Sequence, residues 1–441
     1  MRKLYNQEKS IFCQWSNHKF SYELQLISEI LDQNVEFLEW VAFDLKAGNK
    51  GKNNGAKGMS AEQVLRAAIL KQQNGWSYEF FEWQCVDSTA TRAFLRFDSE
   101  EKYSKSALQE NISKIRGETW IRINESLVRY ARDKGLESGR TIRVDATAIE
   151  SNIHAPTDSS LLFDCFKISD RVFKKIRKKT RIAYYSPLTT KLAKSYLLKI
   201  QYANGNEERL EPYKILIKEA KNLSKVVNKV SERFKNSGKV DISPLKNITD
   251  LLPHIIDQAE KRVIKGQIIP PEEKVVSIFE AHTDIIMKGK RDVTYGHKVF
   301  LTAGKSGIVT DCQLVQGNPS DKEYFLDLIS KQKQVFGKVP RQVTADGGFA
   351  SEDNVYDAKE MGVKDVCFSK PVGLGIEEMV KSPWVFQKLR NFRAGIEGII
   401  STLKRGFGLS KVLWKGVSGF ASYVHSSIVS YNLTKIAVLC R

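Results

Sequence analysis

The chain has 441 residues, of which 41% are hydrophobic, and its 70 Lys and Arg against 51 Asp and Glu give a formal charge of +19. This length indicates about two to four domains, and the hydrophobic fraction excludes disorder for most of the chain. The charge is unusual for a metabolic enzyme and favours a polyanionic partner. Because no apolar stretch reaches the roughly 20 residues of a membrane span and the first residues lack a signal-peptide core, we expect a soluble, intracellular protein.

The N-terminal third of the chain carries signals for short helices. Ser60 with Gln63 predicts a capping box before VLRAAILKQQ, and Ser106 with Gln109 predicts the start of another long helix. Short helices joined by Gly and Ser turns are typical of helix-turn-helix DNA-binding domains, although any small helical bundle shows the same pattern. We therefore predict a helical domain over residues 1–135, with DNA binding and plain bundle packing both open.

From residue 139 onward, strand patterns alternate with helix patterns. RTIRVDATAI is predicted to be the first strand, and YGHKVFLTAG and GIVTDCQLVQG form a predicted hairpin. RQVTADGG and VKDVCFSK are predicted to be later strands, each next to a helix. This alternation predicts an α/β fold with a mixed sheet. A helical module interrupts it, so we expect the sheet domain over residues 136–165 and 276–441, and the insertion over residues 166–275.

Most of the excess charge lies in the predicted insertion. Residues 167–246 carry 21 Lys and Arg against 7 Asp and Glu, which supplies +14 of the total charge. Seven of these cations fall within eleven residues: Arg171, Lys174, Lys175, Arg177, Lys178, Lys179 and Arg181. A solvated helix face is an equally good explanation of an isolated run of this kind, but the concentration of charge in one segment favours a phosphate-binding surface.

A long amphipathic helix is predicted within the same segment. Its apolar seam has steps of four and three residues: Leu216, Ala220, Leu223, Val227, Val230 and Phe234. Five lysines lie about 200° away from the seam on a helical wheel: Lys214, Lys218, Lys221, Lys225 and Lys229. One face of this helix is therefore expected to pack, and the other to present cations.

Two aspartates are placed where the chemistry of an α/β sheet is usually found. Asp145 lies on the first predicted strand, and Asp346 at the carboxyl end of a later one. Strand ends of one sheet converge at the same edge, where open α/β sheets carry their sites. Each residue alone also fits a structural role, since Asp145 could bind nearby amides and Asp346 precedes a glycine pair typical of a turn.

Glu397 lies on a predicted helix with two stripes. Glu397, Arg390, Arg393 and Lys404 fall within about 60° of one another on a helical wheel, beside a stripe of apolar residues. A surface ion pair between Arg393 and Glu397, four residues apart, explains this charged stripe equally well.

Three carboxylates beside basic residues suit phosphodiester cleavage by two metal ions. That chemistry needs oxygen ligands that hold divalent ions about 3.5 to 4 Å apart, and Mg²⁺ prefers carboxylate and water oxygens. Lys and Arg on the same helix face could hold the phosphates of the cleaved strand. The chain lacks HExxH, GxxxxGK[ST] and GxSxG motifs, so zinc protease, NTPase and α/β-hydrolase chemistry lack their usual signatures.

Four segments resemble the DDE transposases of bacterial insertion sequences, in particular the ISNCY-like group, whose catalytic core is RNase H-like. The segments, in the family's order, are VDATAIESNIHAPTDSSLL, GIVTDCQLVQGNPSD, VTADGGFAS and FRAGIEGIISTLKRGFGLSKVLWKGVSGFASYVHSSIVSYNLTKIA. MSAEQVLRAAILKQ resembles the family's helical DNA-binding region less specifically. The resemblance implies that Asp145, Asp346 and Glu397 are the DDE triad and bind two Mg²⁺ or Mn²⁺ ions. Arg393 and Lys404 match the family signature, whose tyrosine is replaced here by Arg390.

The resemblance also implies what the protein does. Such a transposase binds double-stranded DNA at terminal inverted repeats, cleaves at the ends of its element and joins the freed 3′ ends to target DNA. Pairing of two ends implies a homodimer or a higher assembly, and we expect it in the cytoplasm, associated with the nucleoid. Two alternatives stay open: an RNase H-like nuclease or resolvase without strand transfer, and a DNA-binding transposase derivative without catalysis.

Overall fold

The computed structural model describes residues 4, 18–47, 58–98, 100–236, 238, 240–288, 292–369 and 373–441. The chain divides into two compact units. The sheet unit comprises Met1–Glu150 and His297–Arg441, and the helical unit comprises Ser151–Gly296. No helix in the described ranges is long and apolar enough to cross a membrane.

The N-terminal part of the sheet unit is helical, as predicted. Its helices are α1 (Lys19–Gln33), α2 (Glu36–Ala47), α3 (Ala61–Asn74), α4 (Tyr78–Asp87), α5 (Thr89–Leu95), α6 (Lys105–Ile112) and α7 (Gly117–Asp133). The predicted capping box of α3 is confirmed, because Ser60 Oγ accepts a hydrogen bond from Gln63 N and the Gln63 side chain accepts one from Ser60 N.

The predicted long helix starting at Ser106 is wrong. The backbone is extended at Ser104, and its Oγ accepts a hydrogen bond from Ala107 N at 3.3 Å, so Ser104 is the N-cap of α6. This helix ends after 8 residues. A serine hydroxyl caps a helix only where the chain enters the first turn, and here that point lies two residues earlier than the sequence pattern indicates.

The strands are β1 (Thr141–Ser151), β2 (Asp284–Lys288), β3 (Asp292–Ala303), β4 (Val309–Val315), β5 (Gln342–Ala345), β6 (Asp365–Phe368) and β7 (Lys411–Val412). In the sheet unit their order is β3-β1-β5-β6, with β4 beside β3 and β7 beside β1. In the helical unit, β2 pairs antiparallel with residues 292–296 of β3. Because β1, β5 and β6 are parallel and β3 and β4 form the predicted hairpin, the predicted mixed α/β sheet is confirmed, and it is consistent with an RNase H-like core.

The helical unit contains the charged segment. Its helices are α8 (Asp158–Thr180), α9 (Thr190–Tyr202), α10 (Asn206–Phe234) and α11 (Ser243–Ala259), followed by a π-helical turn at Glu260–Ile264. The predicted seam is confirmed, since all six of its residues are buried on α10. The five predicted lysines of the opposite face are all exposed. The apolar sides of the four helices form the core of this unit.

The C-terminal part of the sheet unit supplies the helices that cover the sheet. They are α12 (Asp321–Phe336), α13 (Glu352–Glu360), α14 (Ile376–Met379), α15 (Pro383–Gly406) and α16 (Gly416–Leu439). Residues 422–433 of α16 are all buried, which is why this helix lacks a polar face.

The two faces of β1 have different neighbours. Ile142 and Val144 are fully buried in one cluster with side chains of β5, α12 and α13. Ile149 is buried in another cluster, with Ile396 and Leu403 of α15. Because side chains alternate between the faces of a strand, the odd-numbered residues of β1 point to the face that α15 covers.

Candidate active site and candidate DNA-binding surface

Asp145 and Asp346 occupy equivalent positions of two neighbouring strands. β1 and β5 are parallel, and Val144 is paired with Ala345 in their register. The next residue on each strand is an aspartate, and neighbouring strands are about 4.8 Å apart. The structure therefore brings these two acids side by side at the carboxyl end of β5, the edge where α/β sheets carry their sites.

A main-chain amide holds each of these carboxylates. Asp145 Oδ1 accepts a hydrogen bond from Ala146 N at 2.7 Å, and Asp346 Oδ1 accepts one from Gly348 N at 2.8 Å. Both aspartates are half-buried. Local bonds of this kind fix the direction of a short side chain, so the turn geometry expected of Asp346 is present together with its position beside Asp145.

α15 packs on β5 and β6, and two long side chains join it to β1. Arg143 Nη1 donates a hydrogen bond to Phe392 O at 3.1 Å, and Lys404 Nζ donates one to Ala148 O at 3.0 Å. The helix rises about 18 Å from Phe392 to Lys404, and the strand extends about 17 Å from Arg143 to Ala148. The two contacts come in the same order along helix and strand and are separated by similar lengths, so α15 and β1 run in the same general direction.

This alignment gives the position of Glu397 along the strand. Glu397 lies five residues beyond Phe392, a rise of about 7.5 Å. Asp145 lies two residues beyond Arg143, about 6.6 Å along β1. Glu397 is therefore close to the level of Asp145.

Glu397 is engaged by its own helix. Its Oε1 lies 2.5 Å from Arg393 Nη2, and the two side chains are 63% and 18% exposed, respectively. The surface ion pair left open by the sequence is thus formed. In the part of the chain that the structure describes, no three His, Cys, Asp or Glu side chains are grouped closely enough to hold a metal ion. The three predicted acids do not form a closed ligand set in this conformation.

The chemistry of the donors nevertheless fits a hard divalent ion. Asp145 and Asp346 offer carboxylate oxygens from adjacent positions of β1 and the end of β5, and Glu397 of α15 offers a third. Mg²⁺ and Mn²⁺ prefer such oxygen ligands. The bond between Glu397 and Arg393 joins an exposed carboxylate to a half-buried guanidinium within one helix, and exposed pairs of this spacing contribute only about 0.3–0.5 kcal/mol. That pair is weak enough to exchange for another partner.

Sequence reasoning missed two charged residues beside Asp346. Asp321, the first residue of α12, forms an ion pair with Lys298 of β3, and their side chains are 18% and 11% exposed. A Cβ on Gly348 would lie 2.6 Å from Asp321 Oδ2 and 3.1 Å from Asp346 Oδ1. The two carboxylates therefore flank Gly348. In the sequence, Asp321 has only the pattern of a helix-start residue, which gave no signal of this contact.

The predicted cationic cluster lies at the C-terminal end of α8. All seven residues are exposed: Arg171, Lys174, Lys175, Arg177, Lys178, Lys179 and Arg181. Hydrogen bonds from Ser243 lower the pKa of the nearby Asp241, and the charges of Lys175 and Lys179 lower it further. The helix dipole also favours cations near a helix C-terminus, so stabilisation of the end of α8 is a structural explanation of the cluster.

The cations of α10 are partly neutralised. Two of its five exposed lysines form ion pairs, Lys214 with Glu211 at 2.6 Å and Lys221 with Glu260 at 2.6 Å.

The three cations of α15 that are predicted to contact phosphates differ in exposure. Arg390 is exposed, whereas Arg393 and Lys404 are half-buried and bind Glu397 and the Ala148 carbonyl.

Paired carboxylates at a sheet edge and a surface rich in cations are features that an enzyme acting on nucleic acid would need. Two family models then match the chain: "Transposase DDE domain" over residues 277–433, and "Transposase domain (DUF772)" over residues 17–114. The first match contains Asp346 and Glu397 and begins after Asp145. No curated protein and no solved structure matches the chain. The two family matches identify the chain as a DDE transposase of an insertion-sequence family, a protein of transposition and DNA recombination.

Proposed function

We propose that this transposase binds the terminal inverted repeats of its own element, cuts the DNA at their ends and transfers the freed 3′ ends to target DNA. One observation carries the proposal: the pairing of Val144 with Ala345, which sets Asp145 of β1 beside Asp346 at the end of β5. The match to a DDE domain supports a nuclease or transposase activity in general.

In this proposal, Asp145, Asp346 and Glu397 are the catalytic residues and would hold two Mg²⁺ or Mn²⁺ ions. When bound, such ions activate the attacking oxygen and stabilise the leaving one. The amides of Ala146 and Gly348 keep the two aspartates directed. Glu397 would leave Arg393 to bind a metal ion, and the Arg393 guanidinium would then be free to bind a backbone phosphate.

The remaining cations would bind DNA. Arg390, Arg393 and Lys404 border the proposed site on α15 and would hold the phosphates of the cleaved strand. The exposed cluster on α8 would contact duplex DNA without reading its sequence, because phosphate contacts are independent of the bases. Recognition of two ends in one complex would require a homodimer or a higher assembly.

Replacing Asp145 by Asn tests the catalytic assignment. Asp145→Asn keeps the shape of the side chain and removes its charge, so Mg²⁺-dependent nicking of an end-containing duplex should be lost while binding of that duplex stays nearly unchanged. Asp357→Asn, an equal charge change at an exposed position of α13, is the matched control and should nick normally. Normal nicking by Asp145→Asn would refute the triad.

A second assay separates transposition from its alternatives. Duplexes already nicked at the 3′ ends of the element are mixed with supercoiled target DNA, and joined products are counted. Strand transfer supports the proposed transposase. Cutting without joining identifies a nuclease or resolvase, and end binding without metal-dependent cutting identifies a non-catalytic DNA-binding derivative.

A further inference from the structure

Arg143 occupies an unusual place for an arginine. It lies on β1 two residues before Asp145 and is only 8% exposed. Its Nη1 donates to Phe392 O at 3.1 Å, and its guanidinium carbon lies 4.5 Å from the centroid of the Phe392 ring. Burial lowers the pKa of Arg143, opposed by the Tyr431 hydroxyl and the Glu137 carboxylate. The guanidinium is thus clamped under α15.

Such an arrangement is not an efficient way to stabilise a fold. In the described part of the chain, Arg143 Nε is buried without a hydrogen-bond partner. A buried, incompletely paired cation costs free energy that an apolar side chain of similar size would not. What the guanidinium supplies is geometry, since a planar group bound to one carbonyl and stacked on one ring fixes both the rotation and the height of the helix.

The absence of a side chain at Gly395 makes room for the Arg143 guanidinium. A Cβ at position 395 would lie 2.0 Å from Arg143 Nη1 and 3.1 Å from its Cζ. Any larger residue would therefore push the guanidinium off the Phe392 carbonyl. Gly398, one turn further along the same helix, has no atom within 4 Å of its Cβ position. The two glycines of this segment thus differ sharply in what an added methyl group would meet.

We infer that Arg143 is a positioning residue of the active site, which holds α15 on β1 so that Glu397 stays level with Asp145, and that Gly395 is required for this contact. The inference depends on the proposed catalytic role of Glu397. Lys404, bound to Ala148 O, anchors the helix on the other side of Glu397. Between these two anchors Glu397 has a fixed height and can change only its side-chain direction.

Three variants of the full-length chain test the inference: Arg143→Lys, Gly395→Ala and Gly398→Ala. Lysine keeps the charge but cannot both stack and bond as the guanidinium does. Gly395→Ala and Gly398→Ala make the same change of helix propensity, and only the first collides with Arg143. Two quantities are measured for each: the Mg²⁺ concentration that gives half-maximal nicking, and the affinity for Mn²⁺ followed through the electron paramagnetic resonance signal of the free ion.

Displacing a residue that orients a metal ligand typically weakens metal binding by about 10- to 100-fold. We expect weakening of this size in both measurements for Arg143→Lys and Gly395→Ala, with unchanged binding of end-containing DNA, and no change for Gly398→Ala. The double variant Arg143→Lys/Gly395→Ala should be no worse than Arg143→Lys alone, because the methyl group then meets no guanidinium. This double variant also serves if Gly395→Ala alone fails to fold.

The inference is overturned if Gly395→Ala matches Gly398→Ala in both measurements, or if the double variant shows the full sum of the two losses. Failure of the proposed function is a separate result. In that case the unmodified chain itself would show no metal-dependent nicking, whatever the variants do.

Discussion

The sheet unit and the helical unit arrange their charges in opposite ways. At the edge formed by β1 and β5, two half-buried aspartates are each held by a main-chain amide. At the end of α8, seven cations are exposed on the outer side of a helix whose inner side is buried. In the first region, main-chain hydrogen bonds fix the direction of each carboxylate. In the second region, the cations are numerous and lie on an exposed face.

This difference determines how each region responds to substitution. A reacting group misplaced by about 1 Å can cost about 10²-fold in rate, so the sheet edge should be sensitive to the addition of a single methyl group. Exposed cations act through a screened field that extends about 8–10 Å at physiological salt. Their contributions should add, and no single one should be essential.

Gly348→Ala should have the largest effect among the changes that leave every charge in place. Its methyl group would lie 2.6 Å from Asp321 Oδ2 and 3.1 Å from Asp346 Oδ1, and Asp321 is held by Lys298. We expect nicking to fall by about 10²-fold, with end binding unchanged, in a single-turnover assay at saturating DNA.

A matched control for this change is Gly58→Ala, because no atom lies within 4 Å of the Cβ position of Gly58. It should nick as the unmodified chain does. Equal rates for the two variants would show that Asp321 and Asp346 can both yield, and that the sheet edge is less rigid than its contacts indicate.

Neutralising the cluster on α8 should have a smaller and graded effect. Lys174, Lys175, Lys178 and Lys179 are replaced by Gln one at a time and then together. Each lost phosphate contact should flatten the slope of log K against log salt by about 0.9, and nicking of saturated DNA should not change. Replacing the same four by Arg keeps the charges and should keep the slope. A constant slope in the Gln series would mean that these cations serve the helix terminus and not DNA.

The sequence carried enough information to predict where the two aspartates lie. RTIRVD and RQVTAD each place an aspartate directly after a short run with alternating apolar residues, and sites of α/β sheets lie at the carboxyl edge of parallel strands. Their register, with Val144 opposite Ala345, follows from the burial of the apolar residues on one face. Local pattern and tertiary structure agree here because one face of each strand is apolar up to the aspartate.

The surroundings of Glu397 could not be predicted in the same way. The helical wheel separates its charged and apolar stripes, but it does not say which strand α15 follows. In the alternating pattern of β1, Arg143 has the position of a surface residue, and only the packing of α15 buries it. In the sequence, Gly395 is only a residue of low helix propensity, and the structure is needed to show that the Arg143 guanidinium lies beside it. Contacts between distant segments carry no signal in local periodicity.

Acidification should have the smallest effect on activity near neutral pH, and it should change the stability of the two units in opposite directions. His425 of α16 is buried in the sheet unit, and burial lowers its pKa to about 4. The unfolded chain has a histidine pKa near 6.5, so below that value the unfolded state binds the extra proton and the stability of the sheet unit falls. The loss at pH 5 should be about 2 kcal/mol.

The buried Asp164 of the helical unit acts in the opposite direction. Desolvation raises its pKa, although the charges of His154 and Lys167 lower it, so protonation of Asp164 on acidification favours the folded state.

Hydrogen exchange resolved by peptide measures the two units separately. Between pH 7 and pH 5, and after correction for intrinsic exchange, peptides of α16 should lose protection while those of α10 do not. Asp311 lies on the same cavity as His425, and burial raises its pKa, which opposes the effect. The decisive comparison is therefore with His425→Gln, which keeps Asp311 and removes only the imidazole. If α16 loses the same protection in His425→Gln, the acid sensitivity arises elsewhere, and the two units differ in their charges without differing in their response to pH.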